Sequence, residues 1–418
     1  MSASKVPSTR PRTPPPTPEG RRPVHIGLAG PVDLAPLAPY FASPLPPVHS
    51  GPSTGWLART WREQGHRVTV YALSSEITEP QLHEGDGVRL TIAPQRPRAR
   101  DRALDLFRAE RHALTEAMRA HPADLISAHW TYEFALAAIA SGLPAYVTAR
   151  DTPLRYAWEM RSAYRWLRHS MALPAVHKAT AVSANSPYTA THLRRCLAAR
   201  RPIEVIPNAV RTDHLPTTTA PPAGNTPVFA TASQGWGRLK NTTAALRAFA
   251  LVRNRLPHAR LLMLGAGHGP DGPAHTWATT HNLATNVEFA GQVPHADMLN
   301  RLAAEAHALI HPSRVESFSM ICAEAMGMGI PVVAGHRSGA VPWVVGDAGL
   351  LVDIDRPKHI AEAMLSLAQH PTMRADLGSA GRARTRRDFS MTDVADAYIR
   401  WFRAGPPNPV RTPGALPR

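Results

Sequence analysis

HPSRVESFSMICAEAMGMGIPVV, residues 311–333, holds a strand end, a loop, a helix and the start of a second strand in one short run. The apolar residues Ala308-Leu309-Ile310 just before it read as the end of a buried strand. Pro312 and Ser313 break that strand, and Glu316 follows in a loop of small and polar residues. From Met320 the pattern turns helical: Met320, Ile321, Cys322, Ala323, Ala325 and Met326 are apolar, with Glu324 among them. Gly327 and Gly329 are stop signals, and Pro331 opens the next apolar run. Two glutamates thus stand eight positions apart, one before the helix and one inside it.

A loop that leads into a helix presents free backbone N–H groups and favours an anion such as a phosphate. A carboxylate in the same loop repels that anion unless it contacts sugar hydroxyls or a developing positive charge. Glu324 is costly to bury without partners, and ribose hydroxyls would satisfy it. The plainer alternative is a helix N-terminus that favours acidic residues, with Glu324 on a solvated face.

The run resembles the donor-site signature of retaining glycosyltransferases of family 4, which have the GT-B fold. That signature sets two glutamates at this spacing around a Gly-Phe-Gly-like step, then Glu-Ala-Met, then Gly-x-Pro-Val-Val. Here the step is Ser317-Phe318-Ser319, so serine replaces both glycines. The resemblance implies an α/β chain in which two Rossmann-like domains face each other across a cleft and a C-terminal helix crosses back to the first domain. It implies Glu316 beside the transferred sugar, Glu324 on the ribose, and donor contacts at Phe318, Ser319 and Met320.

The length of 418 residues suits two domains, and an apolar share of 44% suits two cores. The net charge of +16, mainly from arginine, is compatible with nucleic acid, an anionic membrane surface or an acidic substrate. Enrichment in Arg, Ala and Pro together also fits a plain compositional bias. Two distant cysteines, Cys196 and Cys322, exclude a disulfide framework or a cysteine zinc site and suit a reducing cytoplasm. No apolar run reaches the roughly 18 residues of a bilayer span. Residues 1–22 read as a disordered basic arm without the apolar segment of a secretory signal. The expected division is an acceptor domain over 23–212, a linker over 213–227, a donor domain over 228–392, a crossover helix over 393–404 and a disordered tail over 405–418.

Outward from the quoted run, the second half supplies further candidates. Gly235-Trp236-Gly237-Arg238-Leu239-Lys240-Asn241 leads into a helix over Ala244–Ala250. The resemblance assigns the donor diphosphate to Lys240, whose ammonium is a compact charge for phosphate. An arginine that the family carries five positions earlier is Gly235 here, and Arg238 is the candidate substitute. Gly265 and Gly267 form a tight turn after the strand Leu261–Leu264, but Pro270 in the sixth position rules out a dinucleotide fingerprint. Val293 lies near the expected base pocket.

In the first half, a strand over Val24–Ala29, a glycine-rich loop from Gly51 to Gly55, a helix over Trp56–Gln64 and a strand over Arg67–Ala72 make a βαβ opening. The resemblance turns the Gly51 loop toward the cleft. Gly51-Pro52-Ser53-Thr54-Gly55 also fits a hydrolase nucleophile elbow, although Pro44, Pro46 and Pro47 oppose the strand that an elbow needs. Arg102–Ala120 reads as one charged amphipathic helix. The strand Asp124–Ala128 delivers His129 to its carboxyl end, where open α/β sheets bind ligands; packing or capping is the alternative role. The strand Ala145–Ala149 ends in Arg150-Asp151, where the family often carries His-Asp. Arg150 and Asp151 are therefore acceptor-side candidates; an acidic acceptor, or transfer of the histidine's role to His129, both fit. A helix over Met160–Leu173 interleaves Arg161, Tyr164, Arg165, Trp166 and Arg168, which suits nucleic acid, a membrane surface or a solvated face over a core stripe.

The expectation is an enzyme that moves a sugar from a nucleoside diphosphate sugar, UDP-linked for preference, with retention at the anomeric carbon. Its acceptor is a sugar, a lipid-linked molecule or a small molecule. No cofactor and no metal are expected: Lys240, Arg238 and helix N-termini stabilise the leaving group, and Glu316 and His129 complete the catalytic set. A nucleotide-sugar epimerase of the same fold is the first alternative. A nucleic-acid-binding protein is the second, and none of its usual motifs is present. The cytoplasm is the expected location, with peripheral contact to an anionic membrane left open.

Overall fold

Runs such as Ile26-Gly-Leu-Ala and Val332-Val-Ala are apolar without alternation, the mark of parallel strands covered on both faces. The computed structural model describes residues 22–51, 53–216 and 226–406. Nearly all of the expected arm, the middle of the linker and all but the first two residues of the tail lie outside the described residues.

The first sheet has eight strands: β1 (His25–Ala29), β2 (Arg67–Ser74), β3 (Gln81–Glu84), β4 (Val88–Pro94), β5 (Leu125–His129), β6 (Ala145–Ala149), β7 (Ala181–Ala184) and β8 (Ile203–Val205). Their order is β3-β4-β2-β1-β5-β6-β7-β8, parallel throughout except for the β3–β4 pair. The second sheet has six: β9 (Val228–Ala232), β10 (Arg260–Leu264), β11 (Val287–Gly291), β12 (Ala308–His311), β13 (Val332–Gly335) and β14 (Gly349–Val352). Their order is β11-β10-β9-β12-β13-β14, all parallel. Strand order reverses between β1 and β5 in the first sheet and between β9 and β12 in the second. Each reversal opens a crevice beyond the carboxyl ends, where such sheets bind ligands.

The last helix, Met391–Ala404, crosses back to the first sheet as the resemblance implied. Tyr398, Trp401 and Phe402 join a core with Ile26, Leu28, Trp61 and Val68. Each such side chain contributes on the order of 2 kcal/mol by burial. The Trp61 indole donates to the Ala395 carbonyl (3.3 Å), and the Tyr398 hydroxyl to Thr148 Oγ1 (3.3 Å). The two passages of chain between the halves are tied together where the Val210 N–H donates to the Phe389 carbonyl at 2.7 Å.

Two expected helices are interrupted. The one over Arg102–Ala120 is two, Ala99–Leu104 and Arg108–Ala120, because Leu106 and Phe107 take left-handed φ values of 57° and 59°. The one over Met160–Leu173 is the end of a helix Pro153–Met160 and the start of another, Ala163–Lys178, separated by Arg161 at φ 47°. No glycine or proline marks either break.

Candidate active site

The loop after β12 and the loop after β9 meet in the crevice of the second sheet. Lys240 Nζ donates to Glu316 Oε1 at 2.7 Å, and His311 Nε2 stands 3.5 Å from the same oxygen. Their backbones are stitched together by the Arg314 N–H on the Leu239 carbonyl (2.9 Å). Burial alone would raise the Glu316 carboxyl pKa. The hydrogen bond from His311 and the charge of Lys240 outweigh it and hold Glu316 at about 2. Cys322, on the helix behind, is pushed up to about 12, chiefly by burial, and is an inert thiol.

That helix runs Met320–Met328 and ends at Gly329 in the left-handed conformation (φ 83°), while Gly327 lies inside it. Ser319 caps its start at φ 86° and ψ 82°, a conformation natural to the glycine it replaces. Its hydroxyl shares a hydrogen bond with His311 Nε2 (3.2 Å). Phe318, an expected donor contact, is instead core: 1% exposed, it packs edge-on against Phe389 and Trp343. Only its backbone is free to serve a ligand. Met320 and Val293 also lean on this core while partly exposed.

Glu324 is nearly buried, and its Oε1 lies 3.1 Å from His295 Nε2. The hydrogen bond to Glu324 raises the pKa of His295 against the opposing effects of its burial and of Arg211. His295 opens the helix His295–Glu305, directly after Val293-Pro294. Gly265 (φ 104°) follows β10 so closely packed that a Cβ there would stand 2.1 Å from the Ser233 carbonyl oxygen. Gly267 turns just beneath Trp236. Arg238 does not join Lys240. It is 68% exposed, and its Nε lies 3.9 Å from Glu159 of the first half. The register of the Gly235–Lys240 loop directs only the lysine to Glu316.

The opposing crevice, beyond β1, β5 and β6, is built on Arg150. Its Nε donates to His129 Nδ1 (2.9 Å), and its Nη1 to Ser53 Oγ (2.9 Å) and Asn208 Oδ1 (3.1 Å). Because a guanidinium only donates, His129 Nδ1 must accept, which places the ring proton on Nε2 facing Ser127 Oγ at 3.3 Å. His129 is 1% exposed, and burial with the charge of Arg150 keeps its pKa well below the ordinary value. It is therefore a neutral, buried partner that holds Arg150 in place. Burial also lowers the pKa of Arg150, yet a guanidinium stays charged in proteins. Asp151 bonds elsewhere: its Oδ2 accepts from the Tyr132 hydroxyl at 2.6 Å, and burial raises its pKa. Gly51 packs against Pro31 with no room for a Cβ, so loop packing accounts for it. No strand precedes Ser53, which removes the context of a nucleophile elbow.

Ser317 joins the two crevices. Its hydroxyl donates to the Arg150 carbonyl (2.7 Å), and its own carbonyl accepts from Ser186 Oγ (2.7 Å). Asp151 Oδ1, Thr152 Oγ1, Thr131 Oγ1, Ser233 Oγ and Ser338 Oγ are buried with no hydrogen-bond partner among the described residues. Each follows the carboxyl end of a strand by one to three residues. Buried polar groups are normally satisfied, and this set gathers at the strand ends that frame both crevices. Sequence reasoning missed His311, His295 and Ser186. His311 was open to the rule applied to His129, since it too ends an apolar strand at a crevice.

A profile described as Glycosyltransferase Family 4 matches residues 55–214, and one described as Glycosyl transferases group 1 matches residues 226–370. The chain is 31% identical over 192 residues to the GDP-mannose-dependent monoacylated alpha-(1-6)-phosphatidylinositol monomannoside mannosyltransferase of Corynebacterium glutamicum, covering 43% of this chain and 48% of that one. It is 34% identical over 171 residues to the D-inositol 3-phosphate glycosyltransferase of Segniliparus rotundus, covering 40% and 37%. The matched segment thus spans less than half the length of these relatives. Among solved structures, sucrose-phosphate synthase of Thermosynechococcus elongatus superimposes over 91% of this chain and 98% of its own, with a TM-score of 0.72 and 19% identity. Anabaena HepE, in complex with UDP and glucose, superimposes over 92% and 100%, with a TM-score of 0.65 and 17% identity. These two likenesses concern the fold.

Proposed function

The chain belongs to glycosyltransferase family 4, and on that premise we propose that it transfers a sugar from a nucleoside diphosphate sugar, UDP-linked for preference, to an acceptor hydroxyl with retention of anomeric configuration. The observation that carries this reading is the Lys240–Glu316 pair in the crevice of the second sheet. In the free protein the ammonium is committed to Glu316. An incoming diphosphate draws it away, and its charge grows in value as the bond between the anomeric carbon and the phosphate oxygen breaks. Glu316, released from the lysine but held ionised beside His311, then faces the positive character that develops at the anomeric centre. The acceptor oxygen takes the place of the leaving phosphate, and the hydroxyl proton goes to a departing phosphate oxygen. Glu324 accepts from the ribose hydroxyls. Arg150, a cation without a carboxylate partner among the described residues, suits an acceptor that carries a carboxylate or a phosphate.

Incubating the purified protein with a panel of nucleotide sugars, with UDP-glucose and GDP-mannose among them, tests the reading by mass spectrometry. One donor should bind and release its nucleoside diphosphate, faster with an acceptor present. Binding of no nucleotide sugar would overturn the proposal. Interconversion of the donor sugar without any acceptor would replace it with an epimerase.

A further inference from the structure

Of the nine large apolar side chains that stand exposed among the described residues, seven belong to two neighbouring segments of the first half. Leu104 (87% exposed) and Leu106 lie on one segment. Trp158 (70% exposed), Met160, Tyr164 and Trp166 lie on the other, with Leu173 further along the same helix. Arg168 holds the segments together, its guanidinium 4.8 Å from the Phe107 ring and 5.4 Å from the Tyr164 ring. The left-handed turn at Leu106 and Phe107 buries Phe107 while leaving Leu104 and Leu106 in solvent. A non-glycine residue seldom adopts that conformation, and here two adjacent ones do.

Exposed arginines surround the patch: Arg98, Arg100 and Arg108 beside the leucines, Arg155 and Arg161 beside the tryptophans. The acids nearby are already engaged, Asp105 and Glu110 by Arg96, Glu159 by Arg155 and Asp101 by Arg100. Arg98, Arg108 and Arg161 stand outside those pairs, so the face is both apolar and positive. The helix Pro153–Met160 starts three residues after Arg150, and its Glu159 lies 3.9 Å from Arg238 of the second half, so the patch borders the mouth of the cleft. Soluble monomers rarely expose so concentrated an apolar area. Tryptophan and tyrosine with arginine are the residues that settle at a bilayer's headgroup level.

We propose that this face docks on the surface of an anionic bilayer, with Trp158, Trp166 and Leu104 at headgroup depth and the arginines against lipid phosphates. This does not depend on the glycosyl-transfer reading. The test is co-sedimentation of the full chain with vesicles of phosphatidylcholine, with and without roughly one-third phosphatidylglycerol, and tryptophan emission as a second readout. The full chain should partition to the anionic vesicles with a blue shift, and added salt should weaken it. Trp158→Ser with Trp166→Ser should lower the partition coefficient at least about tenfold. Arg161→Gln should lower it about fivefold, with circular dichroism unchanged in all variants. Equal binding by the tryptophan variant would overturn the proposal. So would wild-type protein that ignores both vesicles, or that ignores them while self-associating in a Trp158-dependent way.

Discussion

The same topology makes both crevices, but they hold their charges differently. In the second sheet a cation and an anion, Lys240 and Glu316, neutralise each other at 2.7 Å. In the first sheet the cation Arg150 is held by a histidine, a serine and an asparagine, with no carboxylate in ion-pair contact among the described residues. A charge already paired must exchange partners when a ligand arrives, and a charge held by neutral groups keeps its attraction for an anion. The strand-order reversals thus set where ligands meet the fold, and the residues at the strand ends set what each crevice asks of its ligand. Ser317 holds the two crevices at hydrogen-bonding distance, with its hydroxyl on the Arg150 backbone.

If the comparison holds, Lys240→Ala should have the largest effect. Turnover should fall on the order of 100-fold, and by more than donor affinity, because the charge matters most as the diphosphate leaves. Steady-state kinetics beside donor calorimetry would measure this; normal turnover would reduce Lys240 to a partner of Glu316. On the opposite side, Arg150→Gln should raise the Michaelis constant for an anionic acceptor roughly tenfold and leave that for a neutral acceptor nearly unchanged. Equal losses for both would mean that Arg150 only braces the strand ends.

The Glu324–His295 contact should make donor binding depend on pH. The pKa of His295 is raised in the free protein by its bond to Glu324. The pair is fully formed below the ordinary histidine value, about 6.5, and is lost as pH rises through the raised one. A donor ribose that claims Glu324 displaces His295 and releases its proton, so donor affinity should increase with pH across that interval. His295→Gln should flatten the profile. A wild-type profile already flat would remove His295 from the donor site. The smallest expected effect is at Ser319. Its left-handed backbone favours glycine by on the order of 1 kcal/mol, offset in part by the lost bond to His311. Ser319→Gly should therefore raise the thermal midpoint slightly, and a fall of several degrees would show that the hydroxyl outweighs the strain.

How far each crevice could be read from the sequence follows from how it is assembled. The second is largely one loop and one helix, so Glu316, Glu324 and the stop at Gly329 lie within a single run, and Lys240 and His295 come from elsewhere. The first gathers Ser53, His129, Arg150 and Asn208 from four separate stretches of the chain, and no local pattern links them. Strand ends were legible because apolar runs stop there. The partners of a strand-end residue were not, so the bond from Arg150 that fixes the His129 ring had no sign in the sequence. Phe318 failed for a related reason: its place in the motif marks the loop, but the Phe389 and Trp343 rings that claim it lie far along the chain. The breaks at Leu106-Phe107 and Arg161 carry no glycine or proline and depend on tertiary contacts such as the rings around Arg168.

The central claim is that Glu316 serves the reacting sugar and gives up Lys240 to the donor. Glu316→Gln keeps the shape, removes the charge and frees the lysine. Donor calorimetry and turnover at saturating acceptor, measured on the same preparation, test it directly. Donor binding should be unchanged or tighter, with turnover lower on the order of 100-fold. Weakened donor binding with undiminished turnover would contradict it.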